Sequence, residues 1–99
     1  MDYNILSVHD LNGRLGEIDL IDIRDEYEYK TGHIPTAKNI PMSEILNNTE
    51  DYLEEDKEYY IVCQSGGRSS IACATLSSKG YKVINVSGGT SSYFHPLEK

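Results

Sequence analysis

Residues 58–86 read EYYIVCQSGGRSSIACATLSSKGYKVINV, and the fold turns on them. Tyr59 to Val62 is aromatic and β-branched throughout, and Val83 to Val86 is similar, interrupted only by Asn85. Short, near-continuous runs of this kind suit strands buried on both faces, as in a parallel sheet. Between them, Ser69 to Lys79 reads as a helix, with Ile71, Ala72, Thr75 and Leu76 expected on its apolar face and Gly80 as its stop. Strand 58–62, helix 69–79 and strand 82–86 form a βαβ unit, whose crossover is nearly always right-handed and whose strands are parallel.

Outward from this unit the alternation continues. Ile18 to Ile23 carries four apolar residues and reads as another buried strand; Ile5-Leu6 and Ala37 to Ile40 are weaker strand candidates. Ser7 can cap a helix through about Leu15, Asp25 one over Glu26 to Lys30, and Ser43 one over Glu44 to Asn47. The expected fold is a small α/β domain over residues 1–99, with a parallel sheet of about five strands and helices on both faces. Ligands of such sheets bind outside the carboxyl ends of the strands.

Composition narrows the function. Ninety-nine residues fit one domain, and a net charge of −7 argues against nucleic acid and against anionic membrane surfaces. No apolar stretch reaches the roughly 18–20 residues of a membrane span. Met1-Asp2-Tyr3-Asn4 is polar and unlike a secretory signal, so a cytoplasmic chain with reduced thiols is expected.

The chemistry concentrates in one loop. Cys63 stands at the carboxyl end of a buried strand, and Gln64-Ser65-Gly66-Gly67-Arg68 leads into a helix at about Ser69. Free N–H groups and the dipole at a helix start favour negative charge, paired glycines let backbone amides turn inward as an anion nest, and Arg68 adds a positive charge. All three favour thiolate over thiol, so a depressed pKa is expected at Cys63. Such a sulfur must be reachable from water to react. Cys73, mid-helix between alanines, reads as core packing, and the two cysteines lack the ligand count that zinc needs.

Three motifs in order along almost the whole chain resemble a single-domain rhodanese, a sulfurtransferase: Asp22-Ile23-Arg24, Glu26-Tyr27 and Gly32-His33-Ile34-Pro35 with Ala37 and Asn39-Ile40-Pro41; Cys63 to Arg68; and Gly80-Tyr81 with Val86-Ser87-Gly88-Gly89. The family often has Gly where Thr36 stands, Trp where Tyr93 stands, and a basic residue where Gln64 stands. The first two departures imply altered packing; the third bears on the donor.

The resemblance implies a persulfide route without cofactor or metal. Cys63 would be the catalytic nucleophile, taking a sulfane sulfur from a small donor such as thiosulfate and passing it to cyanide, a thiol or a protein acceptor. The N–H groups of Gln64, Ser65, Gly66, Gly67 and Arg68 would hold the persulfide, Ser65 and Ser69 would add hydroxyls, and Arg68 would orient the donor. Arg24 would either face substrate or pair with Asp25, Glu26 or another carboxylate. His33 reads as structural within its turn, and His9 and His95 as surface residues. A phosphatase-like oxyanion loop resembles Cys-x5-Arg, whereas Cys63 and Arg68 enclose only four residues. A sulfur carrier and a noncatalytic protein-binding module are the alternatives.

Overall fold

The structure is a computed structural model and describes residues 3–99; the polar opening Met1-Asp2 lies outside them. Five strands form one sheet: β1 (Asn4–Ser7), β2 (Asp19–Asp22), β3 (Lys38–Asn39), β4 (Glu58–Val62) and β5 (Lys82–Ser87). Their order is β1-β5-β4-β2-β3, and every pairing is parallel. The longest apolar runs occupy the middle. Tyr59, Tyr60, Ile61 and Val62 of β4 are all buried, as a strand covered on both faces requires.

The two faces are covered by different elements. On one, Ile21, Ile23, Tyr59, Ile61, Cys63 and Val83 pack beneath α2 (Met42–Asn47), α3 (Thr49–Tyr52) and α4 (Gly67–Ser78). On the other, Leu20, Tyr60, Val62, Ile84 and Val86 pack against Val8, Leu11, Ile34 and Tyr93, with Tyr29 of α1 (Glu26–Thr31) at the margin. The alternation of β4 and β5 side chains between these clusters is the period-two signature of a strand.

Local readings shift in four places. The expected helix from Ser7 is two short 3-10 turns, Val8–Asp10 and Asn12–Arg14. Asn12-Gly13 is a poor helix interior, and a turn suffices to set Val8 and Leu11 into the core. Ser7 does cap the first turn, accepting from the His9 amide at 3.2 Å. Pro41, rather than Ser43, stands at the N-cap of α2, and Ser43 lies inside the helix. The α4 helix starts at Gly67, and its buried stripe is Ser69, Ala72, Cys73 and Leu76. Ile71, assigned to that stripe by sequence, is 60 % exposed. The apolar face is built from small residues because α4 lies close on the sheet, which leaves the bulkier Ile71 outside.

Thr36 adopts a left-handed φ of 72°. A β-branched side chain is a genuine outlier there, and glycine would take this φ without strain.

Candidate active site

The site lies where β2 and β4 end. Cys63 follows β4, and Gly66 turns the chain into α4 at φ +107°, a conformation open to glycine. The turn aims donors at one atom. The Gly66 amide donates to Cys63 Sγ at 3.1 Å and the Ser69 amide at 3.3 Å. Ser69 Oγ lies 3.4 Å from the sulfur and 3.2 Å from the Gly66 carbonyl. Burial pushes the Cys63 thiol up, but the Ser69 hydroxyl and the amides of Ser69, Gly66 and Ser65 outweigh it, so the thiol lies below its ordinary value. Cys73 has burial without donors, and its thiol is pushed up to about 12.

The sulfur is not open to solvent, contrary to the expectation that it be reachable: Cys63 is only 1 % exposed. Beside it in the loop, Gln64, Ser65 and Gly67 are themselves exposed.

A second turn holds the loop from behind. Thr90 N donates to the Cys63 carbonyl and Ser91 N to the Gln64 carbonyl, both at 2.9 Å. Gly89, at φ +67°, makes that approach possible: a Cβ there would stand 2.4 Å from the Gln64 oxygen and 2.7 Å from that of Cys63.

Both arginines are tied to carboxylates. Arg24 is 4 % exposed and pairs with the fully buried Asp22, Nη2 to Oδ2 at 2.8 Å. Its Nη1 donates to Gln64 Oε1 at 3.0 Å, which brings it to the loop, and its Nη2 also donates to the Gly32 carbonyl at 2.8 Å. Arg68 makes a two-bond pair with Glu28, at 2.8 and 3.0 Å. The Arg68 guanidinium is the main reason that the Glu28 carboxyl sits at about 2, with the Asp25 amide assisting. Sequence reasoning named Asp25, Glu26 or another carboxylate as the partner of Arg24 and overlooked Glu28 altogether. The Glu-Tyr pair that stands two residues before Gly32 is Glu28-Tyr29, not Glu26-Tyr27. A usable signal was present, because Asp25 and Glu28 have the spacing of a capping box.

The histidines stand apart from the sulfur's donors. His33 stacks on Tyr29, with centroids 3.8 Å apart, and its Nδ1 lies 3.0 Å from the Tyr29 carbonyl. His9 and His95 are exposed beside Phe94 and Tyr93. A cavity of about 260 Å³ opens at the other end of the strands, between Asp19, Lys38 and Tyr59, and contains no cysteine. That cavity therefore lies apart from the Cys63 loop.

With the fold and this loop in view, the chain belongs to the rhodanese-like domain family, which matches residues 7–95. It is 44 % identical over 73 residues to YtwF of Bacillus subtilis, provisionally named a sulfurtransferase, across 74 % of this chain and 70 % of that protein. It is 37 % identical over 90 residues to a sulfurtransferase of Allochromatium vinosum, across 87 % and 83 % of the two chains. A crystal structure from Staphylococcus saprophyticus superposes with a TM-score of 0.88 at 31 % identity, over 97 % of this chain and 99 % of that one. Its five-stranded parallel sheet with helices is thus shared with solved relatives, and several relatives are named sulfurtransferases. Among the described residues no helix is long and apolar enough to cross a membrane.

Proposed function

We propose that this protein transfers sulfane sulfur through a persulfide on Cys63. The observation that carries the reading is the convergence of the Gly66 and Ser69 amides, with the Ser69 hydroxyl, on one sulfur atom. The Cys63 thiolate attacks the outer sulfur of a donor such as thiosulfate. The new S–S bond takes its electrons from the thiolate; the old S–S bond breaks, and sulfite leaves with that pair. No proton need reach the leaving group, so no acid is required beside Cys63. A thiol, cyanide or protein acceptor then removes the outer sulfur, and the two covalent steps give ping-pong kinetics. The amides that hold the thiolate serve the persulfide anion as fixed dipoles, without reorganisation during the reaction. The Ser65, Gly66 and Ser69 amides and the Ser69 hydroxyl form the cradle, Gln64, Gly67 and Arg68 complete the loop around it, and Arg24 braces Gln64 through Nη1. A free thiol of this kind suits a reducing compartment such as the cytoplasm.

Mass measurement after incubation with thiosulfate tests the reading. Wild type gains one sulfur atom, Cys63→Ser gains none, and cyanide removes the gain. If thiosulfate loads neither protein while a persulfide-bearing protein loads Cys63, the sulfur-carrier reading replaces it. Loading by neither refutes both and leaves the noncatalytic module.

A further inference from the structure

An arginine beside a sulfur nucleophile invites the reading that it receives an anionic donor, as the sequence suggests for Arg68. The structure shows where that charge goes. Arg68 Nη1 and Nη2 donate to Glu28 Oε1 and Oε2 in two parallel bonds. The other cation at the loop, Arg24, turns Nε and Nη2 to Asp22, Nη2 also to the Gly32 carbonyl, and Nη1 to Gln64. Each cation thus has its own carboxylate, and the four groups sum to zero charge. Arg68 keeps N–H groups that Glu28 does not take, but its charge is matched, and the backbone amides already point at the single atom Sγ.

The two pairs differ in depth. Asp22 and Arg24 are 0 % and 4 % exposed, so that pair is a fixture of the core. The Glu28 and Arg68 side chains are 20 % and 39 % exposed and stand at the rim, where a donor arrives. Breaking the outer pair releases a cation there without unpairing a buried charge.

We propose that Glu28 determines donor specificity: by holding both terminal nitrogens of Arg68, it withholds that charge from doubly negative donors and biases the site toward donors of lower negative charge. This rests on the reading of Cys63 as the sulfur-accepting residue. Glu28 acts through Arg68 and touches no reacting atom, so its role is one of charge placement. The net charge of −7 acts in the same direction at longer range.

The test compares alkylation of Cys63 by anionic iodoacetate and neutral iodoacetamide, read by peptide mass. Their rate ratio cancels any change in thiol ionisation and needs no turnover. Glu28→Gln keeps the shape and frees Arg68; the iodoacetate-to-iodoacetamide ratio rises about tenfold, the factor that about 1.4 kcal/mol represents. Adding Arg68→Gln returns the ratio to within about twofold of wild type. An unchanged ratio in Glu28→Gln, or an equal rise in the double variant, overturns the proposal. A measurement on the unaltered protein guards against a variant that fails to fold. With no free cation at the rim, the wild-type iodoacetate rate stays flat or rises as salt is added; a fall overturns the proposal. Absence of labelling by either reagent also overturns it. Sulfur loading from thiosulfate is scored separately: if loading is absent while the ratio behaves as stated, the persulfide reading fails and the charge assignment stands.

Discussion

Replacing Ser69 by Ala removes one of the groups that hold the Cys63 sulfur as an anion. In the protonated state the thiol donates to Ser69 Oγ, whose own hydrogen goes to the Gly66 carbonyl at 3.2 Å. On ionisation the hydroxyl turns to the sulfur, 3.4 Å away, and leaves that carbonyl to its other donor, the Ser70 amide at 3.1 Å. A hydrogen bond to a charged group contributes about 1.5–3 kcal/mol, and the one given up offsets about 1 of that. The net is about 1 kcal/mol, or about a fivefold loss of thiolate relative to thiol at fixed pH. The Gly66 and Ser69 backbone amides remain, so the change is partial. The assay is the rate of iodoacetamide alkylation between pH 5 and 10. In wild type its midpoint lies below that of a free cysteine, and Ser69→Ala moves it upward. Cys73, pushed up to about 12, stays silent over this range, so a single titration is read. A midpoint that stays put or moves down in Ser69→Ala refutes the claim that donated hydrogen bonds outweigh burial at Cys63.

Other predictions concern the frame around that sulfur. Gly89→Ala places a methyl group 2.4 Å from the Gln64 carbonyl oxygen, so the loop must shift. Sulfur loading from thiosulfate falls at least tenfold while far-ultraviolet circular dichroism stays native, and loading at the wild-type rate contradicts the tether. The Glu28 carboxyl ionises at about 2 in the folded chain against an ordinary 4.5. Its contribution is therefore complete above pH 4.5 and is lost as pH falls from 4.5 toward 2. Arg68 is partly solvated, so the contribution is on the order of 1 kcal/mol. Urea midpoints of wild type and Glu28→Gln should converge across that window, and parallel curves exclude the pair as a source of acid sensitivity. Thr36→Gly relieves a left-handed φ of 72° and raises stability by about 1 kcal/mol after the entropic cost of glycine. An unchanged or lower thermal midpoint means the turn is unstrained.

What the sequence disclosed and what it hid have separate physical origins. The β4–α4–β5 unit was legible because its strands are apolar on both sides and its helix is followed by Gly80, whose φ is +97°. The cradle was legible because Cys63, Gly66, Gly67 and Arg68 sit within six residues of chain. The Arg68–Glu28 pair was not, because its partners are 40 residues apart and any of several nearby carboxylates satisfies the same local pattern. The role of Gly89 was hidden for a similar reason. Its requirement comes from the Gln64 carbonyl, which only the tertiary fold brings beneath it. Ile71 misled by its own hydrophobicity: Ala72 and Leu76 face the core as expected, and Ser69 and Cys73 complete the stripe where Ile71 was placed.

The strand order has an implication for biosynthesis. Asn4 to Ser7 finds its neighbours only in Ile84 to Ser87, some eighty positions later. An emerging chain must therefore leave β1 unpaired until β5 has been made. Assembly is governed by that late closure, and long-range pairings of this sort fold slowly. Until the two meet, each presents an unpaired strand edge.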